Sequence, residues 1–507
     1  LTSVAPFKWN LRAEKMDRLN LHTSGGVSVT VPANIDSITT YVLLEQEAWF
    51  EKEAEFVISW LRPGMDVIDI GANLGVYSLP MAKRVGERGG RVFAYEPSGT
   101  TRSLLEQSCK SNGLDNLAIV AAAMSDGERE GYLSISASGS ELNALSQLGA
   151  TPGEGQEMVR ITSLDAEQAR HAWAKIDFVK IDAEGEEVNI LRGGQDFFTR
   201  HSPLVMFEIK SAEGDLNEKV IDCFIGMGYQ LFSLLPGSRL LVPHDAGADV
   251  ESLELNLFAA KPDRQDAMRK QGFLIAMPGQ VSIDGNVRRA ALNRLRKQKF
   301  ARSFANVFKE GAPLGQDYLE ALAGYAIWRD EQRSLPDRYA ALLFSCGTLE
   351  ALCQTSPSFP RLSTLARVAW EAGKTRLSKW ALKLFIAGGK RGSIDINEPF
   401  WPACSRYDLL DPKDRKGEWF IASVVEQHER IKGHSSYFAG VTPDLEWLCN
   451  SGFASIDMHR RHVLNAALNK RSVTLVPQLF TPSPNHLNAQ VWKSLSGQFL
   501  SHHSRQN

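Results

Sequence analysis

The sequence predicts an α/β fold, a doubly wound and mostly parallel sheet of seven strands, followed by an all-α region. Three observations carry this reading. Val67-Ile68-Asp69-Ile70 is a short apolar run that breaks into Gly71-Ala72-Asn73-Leu74-Gly75, the pattern of a buried strand entering a helix through a glycine turn. Strand-like runs and helical patterns then alternate as far as Ala260, which requires crossover connections and so parallel strands. After Lys261-Pro262-Asp263 the alternation stops and long helical patterns replace it.

Taken in order, Gln46 to Leu61 has helical spacing, with Trp49, Phe50, Phe56, Val57 and Trp60 on one apolar face, stopped by Arg62-Pro63-Gly64. The sheet follows as strand Asp66 to Ile70, a helix from Gly75, strand Arg91 to Glu96, helix Gly99 to Ser111 and strand Leu117 to Ala122. Gly131 to Ser136 and Met158 to Thr162 read as accessory strands around a Gly-, Ser- and Thr-rich loop, Ser138 to Gln156, expected to be mobile and near a substrate. Strand Ile176 to Asp182, a helix through Leu191, strand Leu204 to Ile209, helix Leu216 to Met227 and strands Tyr229 to Leu234 and Leu253 to Ala260 complete it. The last two close as an antiparallel pair around an excursion from Pro236 to Ala248. Beyond them, Val287 to Phe308, Tyr318 to Arg333, Leu335 to Cys353, Leu362 to Gly373 and Leu377 to Ile386 read as packed helices. Leu365 to Gly373 with Ala381-Leu382 faintly resembles a tetratricopeptide helix pair, without a second copy at a fixed period. The expected organisation is a lead-in and helix over 1–62, a cofactor domain over 63–262 and a helical accessory domain over 263–507.

Composition excludes several function classes. The 507 residues are 43% hydrophobic, enough for two or three cores, and 57 basic against 59 acidic residues leave a net charge of -2, no electrostatic footprint for nucleic acid. Six cysteines, Cys109, Cys223, Cys346, Cys353, Cys404 and Cys449, form no C-x-x-C pair, which disfavours a zinc site or disulfide framework and fits a reducing cytoplasm. No apolar run reaches the roughly 18 residues of a membrane span, and Leu1 to Asn10 lack the apolar core of a signal peptide. Because the chain opens on Leu1, an N-terminal address upstream stays open.

The glycine turn and Ala94-Tyr95-Glu96-Pro97 belong together. A carboxylate at the end of the second strand stands where it accepts two ribose hydroxyl protons, so the pair reads as a nucleoside-cofactor site. A pyrophosphate needs a fuller glycine pattern than this, whose middle position is Asn73. A side chain there crowds a dinucleotide but suits the zwitterionic end of S-adenosylmethionine. Asp69, Gly71, Asn73 and Gly75 are expected at the methionine end, Glu96 at the ribose and Asp126, after Met124-Ser125, at the adenine amino group.

Further on, Val179-Lys180-Ile181-Asp182-Ala183-Glu184-Gly185-Glu186, then Leu191-Arg192-Gly193-Gly194, then Leu204-Val205-Met206-Phe207-Glu208-Ile209 complete a recognisable pattern. From about Trp49 to Ala260 the chain resembles the FkbM family of S-adenosylmethionine-dependent methyltransferases. The resemblance implies a class I methyltransferase fold and, in most members, methylation of a hydroxyl on a sugar, polyketide or similar metabolite. Lys210 departs from the family's usual polar residue just beyond Glu208, which weakens any substrate inferred from relatives.

Chemistry belongs at the carboxyl ends of the parallel strands. Lys180, Asp182 and Glu184 share one side of an extended strand, and charges in a sheet covered on both faces are costly unless paired or used. Asp182 is the first candidate for general base or substrate anchor, Glu208 the second, with Lys180 orienting one of them. No metal is favoured; one held by Asp182, Glu184 and Glu208 is the alternative. His171, His201 and His244 read as surface residues. The basic run Arg288, Arg289, Arg294, Arg296, Lys297, Lys299 and Arg302 reads first as a solvated face and second as a landing strip for anionic glycans or a membrane surface. Trp370, Trp380, Phe400, Trp401, Trp419 and Trp447 read as core before sugar platforms.

The expectation is therefore a cytoplasmic O-methyltransferase for a hydroxyl of a glycan or secondary metabolite, with a small-molecule or glycan partner, peripheral membrane association open and no nucleic acid. An N-methyltransferase or other transferase of the same fold, and a non-catalytic scaffold with a helical partner-binding module, are the rival readings.

Overall fold

The computed structural model describes residues 17–134, 144–145, 155–209, 217–245, 255–309, 315–390 and 392–495. Most of the loop expected over 138–156, the N-terminal ten residues and Lys210 lie outside the described residues. The chain opens with a hairpin, β1 (Arg18–His22) and β2 (Ser28–Pro32), and two helices, α1 (Ile38–Gln46) and α2 (Lys52–Trp60). The alternating region follows: β3 (Val67–Ile70), α3 (Ser78–Gly86), β4 (Val92–Tyr95), α4 (Gly99–Asn112), β5 (Leu117–Val120), β6 (Ala123–Met124), β7 (Arg129–Ser134), β8 (Ala144–Leu145), β9 (Gln156–Thr162), α5 (Leu164–His171), β10 (Phe178–Ile181), α6 (Glu187–Arg192), α7 (Gln195–His201), β11 (Leu204–Glu208), α8 (Glu218–Gly226), β12 (Gln230–Leu235), β13 (Leu240–Pro243) and β14 (Asn256–Ala260). Helices complete the chain: α9 (Pro262–Lys270), α10 (Gly285–Arg296), α11 (Gln316–Trp328), α12 (Leu335–Thr355), α13 (Phe359–Glu371), α14 (Thr375–Gly389), α15 (Lys416–Lys432), α16 (Ser436–Ala439), α17 (Leu445–Asn450) and α18 (Ile456–Leu468). No helix among the described residues is long and apolar enough to cross a membrane.

The main sheet runs β13-β12-β14-β11-β10-β3-β4-β5, parallel through its middle five strands and antiparallel at the β14, β12 and β13 end. It has eight strands where seven were expected. The extra one, Leu240–Pro243, lies inside the excursion after Pro236, where Gly237 and Arg239 take positive φ (69° and 55°) and turn the chain back onto β12. Period-two alternation sends successive residues to opposite cores: Val67, Phe178 and Leu204 pack with α2, α3 and α4, while Ile68, Val179 and Val205 pack with α5, α6, α7 and α8. The accessory strands form a separate sheet, β6-β9-β7-β8.

The helix expected over Gln46 to Leu61 begins late, at Lys52, after a loop that follows the end of α1 at Gln46. Its periodicity fails at Glu47, which takes φ 56° because its buried carboxylate is engaged elsewhere: it accepts the N–H of Leu487 (2.8 Å) and of Asn488 (2.9 Å) and pairs with Arg460 (3.0 Å). Trp49 and Phe50 consequently sit in a loop. The helix expected over Val287 to Phe308 also stops early, at Arg296, so that Phe300, Phe304 and Phe308 turn into the helical core beside Phe400 and Trp419. There the aromatic residues of the helical region split: Phe400, Trp401 and Trp419 are core, whereas Trp380 and Trp447 keep more than a third of their surface. Three of the seven residues of the basic run are engaged on their own neighbours, Arg288 with Glu320, Arg294 with Asp330 and Arg296 with the Phe308 carbonyl. His201 is buried and bonded to Gln168 and the Ile176 N–H, not a surface residue.

Packing does not stop at residue 262. Leu464, Leu479 and Trp492 share one core with β1, β2, α1 and the sheet face under α3. On the same seam, Glu45 is 1% exposed and receives the Ser435 hydroxyl (2.7 Å), the Ser436 N–H (3.1 Å) and the Arg461 guanidinium (2.7 Å). Removing one partner of a buried pair strands the other charge, so Glu45→Ala is expected to cost about 3 to 5 kcal/mol in denaturant unfolding. A loss below about 1 kcal/mol would show that water replaces the carboxylate freely.

Candidate active site

The site lies where the strand order reverses, between β3, which leads on to β4, and β10, which leads on to β11. β3 ends at Ile70, and Gly71 must then pass under the end of β10. A Cβ on Gly71 would stand 1.8 Å from the Asp182 carbonyl oxygen, and φ is 75°, so only glycine fits. Gly75 is required for packing: a Cβ there would meet Leu105 at 2.4 Å. Asn73 between them is left-handed (φ 48°), a conformation asparagine tolerates better than most residues, and its N–H points at Glu96.

Glu96 follows β4 and is 6% exposed. One carboxylate oxygen accepts the Asn73 N–H (2.9 Å) and the other the Ser98 N–H (2.9 Å), so two backbone turns fix its plane against the cavity. Burial pushes its carboxyl up to about 7, opposed by those two N–H groups, which favour the anion. A cavity of about 320 Å³ opens from it, walled after β3 and β4 by Gly71, Asn73 and Glu96, at the ends of β10 and β11 by Lys180, Asp182, Glu184 and Glu208, and also by Glu51, Tyr77, Met124, Leu133 and Glu186.

Lys180 on β10 and Asp69 on β3 are register partners on neighbouring parallel strands and so face the same side. Lys180 is 3% exposed; its ammonium lies 2.7 Å from Asp182 Oδ2 and 3.8 Å from Asp69 Oδ1. Burial works against that ammonium, but Asp182, Asp69 and Glu51 outweigh it and hold the lysine above its ordinary range. Asp69 is fully buried and bonded by the Ser78 hydroxyl (2.5 Å); burial raises its carboxyl despite Lys180. Glu51 receives the Tyr77 hydroxyl (2.5 Å) and is also raised, by burial and then by Asp182. Glu208, at the end of β11, is pushed up to about 9 by burial and by the surrounding Asp182, Glu184, Glu187 and Glu51. One oxygen each of Asp182, Glu184 and Glu208 lie within 4.8 Å of one another.

Of the residues proposed from sequence, the structure gathers Gly71, Asn73, Glu96, Lys180, Asp182, Glu184 and Glu208 around one cavity. Asp69 sits behind Lys180 and Gly75 behind the turn, neither on the cavity wall. Asp126 is exposed and engaged by Arg129 (2.5 Å), so the wall on that side is made by Ala122, Ala123 and Met124 instead. Sequence reasoning missed Glu51, Tyr77, Glu186 and Phe438, all on the wall. Glu51 adjoins the Trp49-Phe50 pair and could have been suspected once that segment was read as a loop. Phe438 carries no local signal.

Residues 69–231 match the family model described as Methyltransferase FkbM domain. No curated protein matches the chain. Among solved structures the chain is similar to a methyltransferase FkbM from Methylobacillus flagellatus KT (14% identity over 40% of this chain and 45% of that one, TM-score 0.27). It is similar also to a SAM-dependent O-methyltransferase from Thermotoga maritima (16% identity, 49% and 79%, TM-score 0.27) and to Aeropyrum pernix fibrillarin with natively bound S-adenosyl-L-methionine (14%, 50% and 86%, TM-score 0.25). The chain spans less than half the length of the first of these. The family match covers residues 69–231, the segment that carries the Gly71 turn, Glu96, Lys180, Asp182 and Glu208.

Two expectations follow. Between the ordinary carboxylate range and about 9, folded Glu208 holds a proton that the unfolded chain releases, so its contribution to stability falls as pH rises through that window. Glu208→Gln should therefore raise the melting temperature more at pH 8 than at pH 5, measured in chelator; an equal shift at both would mean Glu208 is not held neutral. For Glu96→Gln, an imperfect acceptor faces both the ribose and two backbone N–H groups. Loss of a charge-assisted bond of about 1.5 to 3 kcal/mol should weaken S-adenosylmethionine at least about tenfold by calorimetry, with some loss of melting temperature. Unchanged affinity would remove Glu96 from the cofactor site.

Proposed function

We propose that this chain is an O-methyltransferase that moves the methyl group of S-adenosylmethionine to a hydroxyl of a glycan or secondary metabolite. The observation that carries the reading is that one cavity is lined by two sets of residues. In one, the Glu96 carboxylate is fixed by two backbone N–H groups beside the Gly71-Asn73 turn; in the other, Lys180, Asp182 and Glu208 stand at the ends of β10 and β11.

The residues present fit the cofactor. Glu96 keeps acceptor capacity for two ribose hydroxyls, the backbone of the Gly71-Asn73 turn lies open to the amino acid end, and Ala122, Met124 and Leu133 offer an apolar wall for a base. When bound, S-adenosylmethionine supplies a methyl group on a sulfonium, already activated for displacement. The protein's part is then to position the acceptor and take its proton.

The two carboxyl groups differ in their partners, Asp182 holding Lys180 and Glu208 facing other carboxyls, and we assign them different roles. Glu208, held neutral up to about 9, keeps a proton and donates a hydrogen bond to an acceptor oxygen. Asp182 receives Lys180 on Oδ2, and we assign Oδ1 to the departing hydroxyl proton. Lys180, itself anchored by Asp69, orients that carboxylate and neutralises part of the charge around it. Asp182→Asn should bind cofactor normally and turn over about a hundredfold more slowly or worse, since an amide cannot take the proton. Near-normal turnover would reduce Asp182 to a structural partner of Lys180. Activity abolished by chelation and restored by magnesium would replace the base with a cation held by Asp182, Glu184 and Glu208.

A further inference from the structure

We infer that the helical region completes the acceptor site: Phe438, with Phe50 and Trp49, forms the wall against which the acceptor's reacting ring lies, and the acceptor is an extended, neutral, polyhydroxylated chain whose remainder occupies the cleft beyond them. This rests on the methyltransferase reading above and adds to it where the acceptor binds and how large it is.

Phe438 lines the cavity although it lies far outside the matched domain of 69–231. It is 51% exposed, yet it is not held loosely. Its helix α16 is strapped to α1 through Ser435 and Ser436 on Glu45, the Tyr41 hydroxyl on Ser436 (2.9 Å) and Gln46 on the His434 carbonyl (2.7 Å). The Tyr437 hydroxyl reaches the Asp36 carbonyl (2.8 Å). The Phe438 ring meets Phe50 edge-on at 5.5 Å, and Phe50 packs on Trp49 at 4.5 Å. A large apolar ring kept half in solvent by so many polar anchors is a binding surface held in place, not a core residue left uncovered.

Size comes from the adjoining space. A cavity of about 320 Å³ is at the lower end of small-ligand sites, roughly 300 to 1,000 Å³, so a nucleoside cofactor leaves room for one reacting group and little else. A cleft of about 1,810 Å³ adjoins it, with Trp49, Phe50, Glu51 and Val76 lining both, and is lined as far as Trp370 and Asn485. That exceeds what one small molecule fills.

Charge selects the chemistry. The cavity wall carries six carboxyl side chains, Glu51, Glu96, Asp182, Glu184, Glu186 and Glu208, and its one cation, Lys180, is already paired with Asp182, so the wall presents no uncommitted cation to phosphate, sulfate or carboxylate acceptors. In the cleft most of the cations are taken up locally: Arg430 by Asp457 (2.8 Å), Arg460 by Glu47, Arg461 by Glu45, Arg239 by Glu55, and Lys52 by the Trp370 ring at 3.6 Å, while Arg406 lies 3.4 Å from Glu426 with its Nη1 buried and unpartnered. Paired ions and carboxylates with spare acceptor positions suit hydroxyl donors, and flat rings suit the C–H face of a sugar.

The test uses the full chain with S-adenosylhomocysteine bound, titrated with glucose, maltohexaose, cellohexaose and a heparin-derived hexasaccharide and followed by saturation-transfer NMR. At least one neutral hexasaccharide should bind about tenfold or more tighter than glucose, and the sulfated one should not compete. Phe438→Ala should lose that gain by about tenfold and Phe438→Tyr should keep it, with S-adenosylmethionine affinity and melting temperature unchanged in both. Hexasaccharide binding unaltered in Phe438→Ala, glucose binding as tightly as the hexasaccharides, preference for the sulfated chain, or no binding by any of the four would each overturn the inference. Failure of the wild-type chain to bind S-adenosylmethionine would instead overturn the methyltransferase reading beneath it.

Discussion

One buried ammonium holds the catalytic end of this molecule together. Lys180 stands on the last turn of pleat in β10, next to Asp69 across the parallel pair and Asp182 two residues on, with Glu51 arriving from the N-terminal loop. Its charge offsets part of the cost of burying Asp69 and Glu51 and anchors Asp182 at 2.7 Å. Burial and the surrounding carboxyls favour a proton on Glu208. The proposed division of Asp182 and Glu208 into acceptor and donor rests on where this one lysine lies on its strand.

The backbone crossing at Gly71 makes this arrangement possible. With no Cβ, the turn after β3 slides against the Asp182 carbonyl, so cofactor turn and catalytic strand end share a wall. Asn73 then delivers its N–H to Glu96, and the nucleoside end is locked to the same turn. The Glu96 anchor and the Asp182 strand end are therefore connected through the Gly71-Asn73 turn. The N-terminal and C-terminal regions add a further layer, because the Glu45 and Glu47 carboxylates that break the α1 to α2 path are satisfied by Arg460, Arg461 and the 435–436 segment.

Much of the sheet and half of the site were legible in the sequence because their causes are local. Val67 to Ile70 and Phe178 to Ile181 are fully buried runs, apolar except for Asp69 and Lys180, and the two-residue spacing of Lys180 and Asp182 translates directly into a 2.7 Å contact. Asp126 shows the limit: Arg129, three residues on, competes for it, a local signal that the cofactor expectation overrode. The helix break at Glu47 and the role of Phe438 were not legible, since each depends on contacts about 390 to 440 residues away in the chain. The strand at Leu240–Pro243 was hidden in a segment whose proline and glycine read as loop, although those residues only make the hairpin turn that pairs it.

The central claim is methyl transfer to oxygen. It is tested most directly by incubating the full chain with trideuteromethyl S-adenosylmethionine and a neutral glycan and metabolite extract, then locating the label by mass spectrometry and NMR. The account expects a new trideuteromethyl ether, absent with Asp182→Asn. Label found on nitrogen or carbon, or the same ether formed equally by Asp182→Asn, would contradict it.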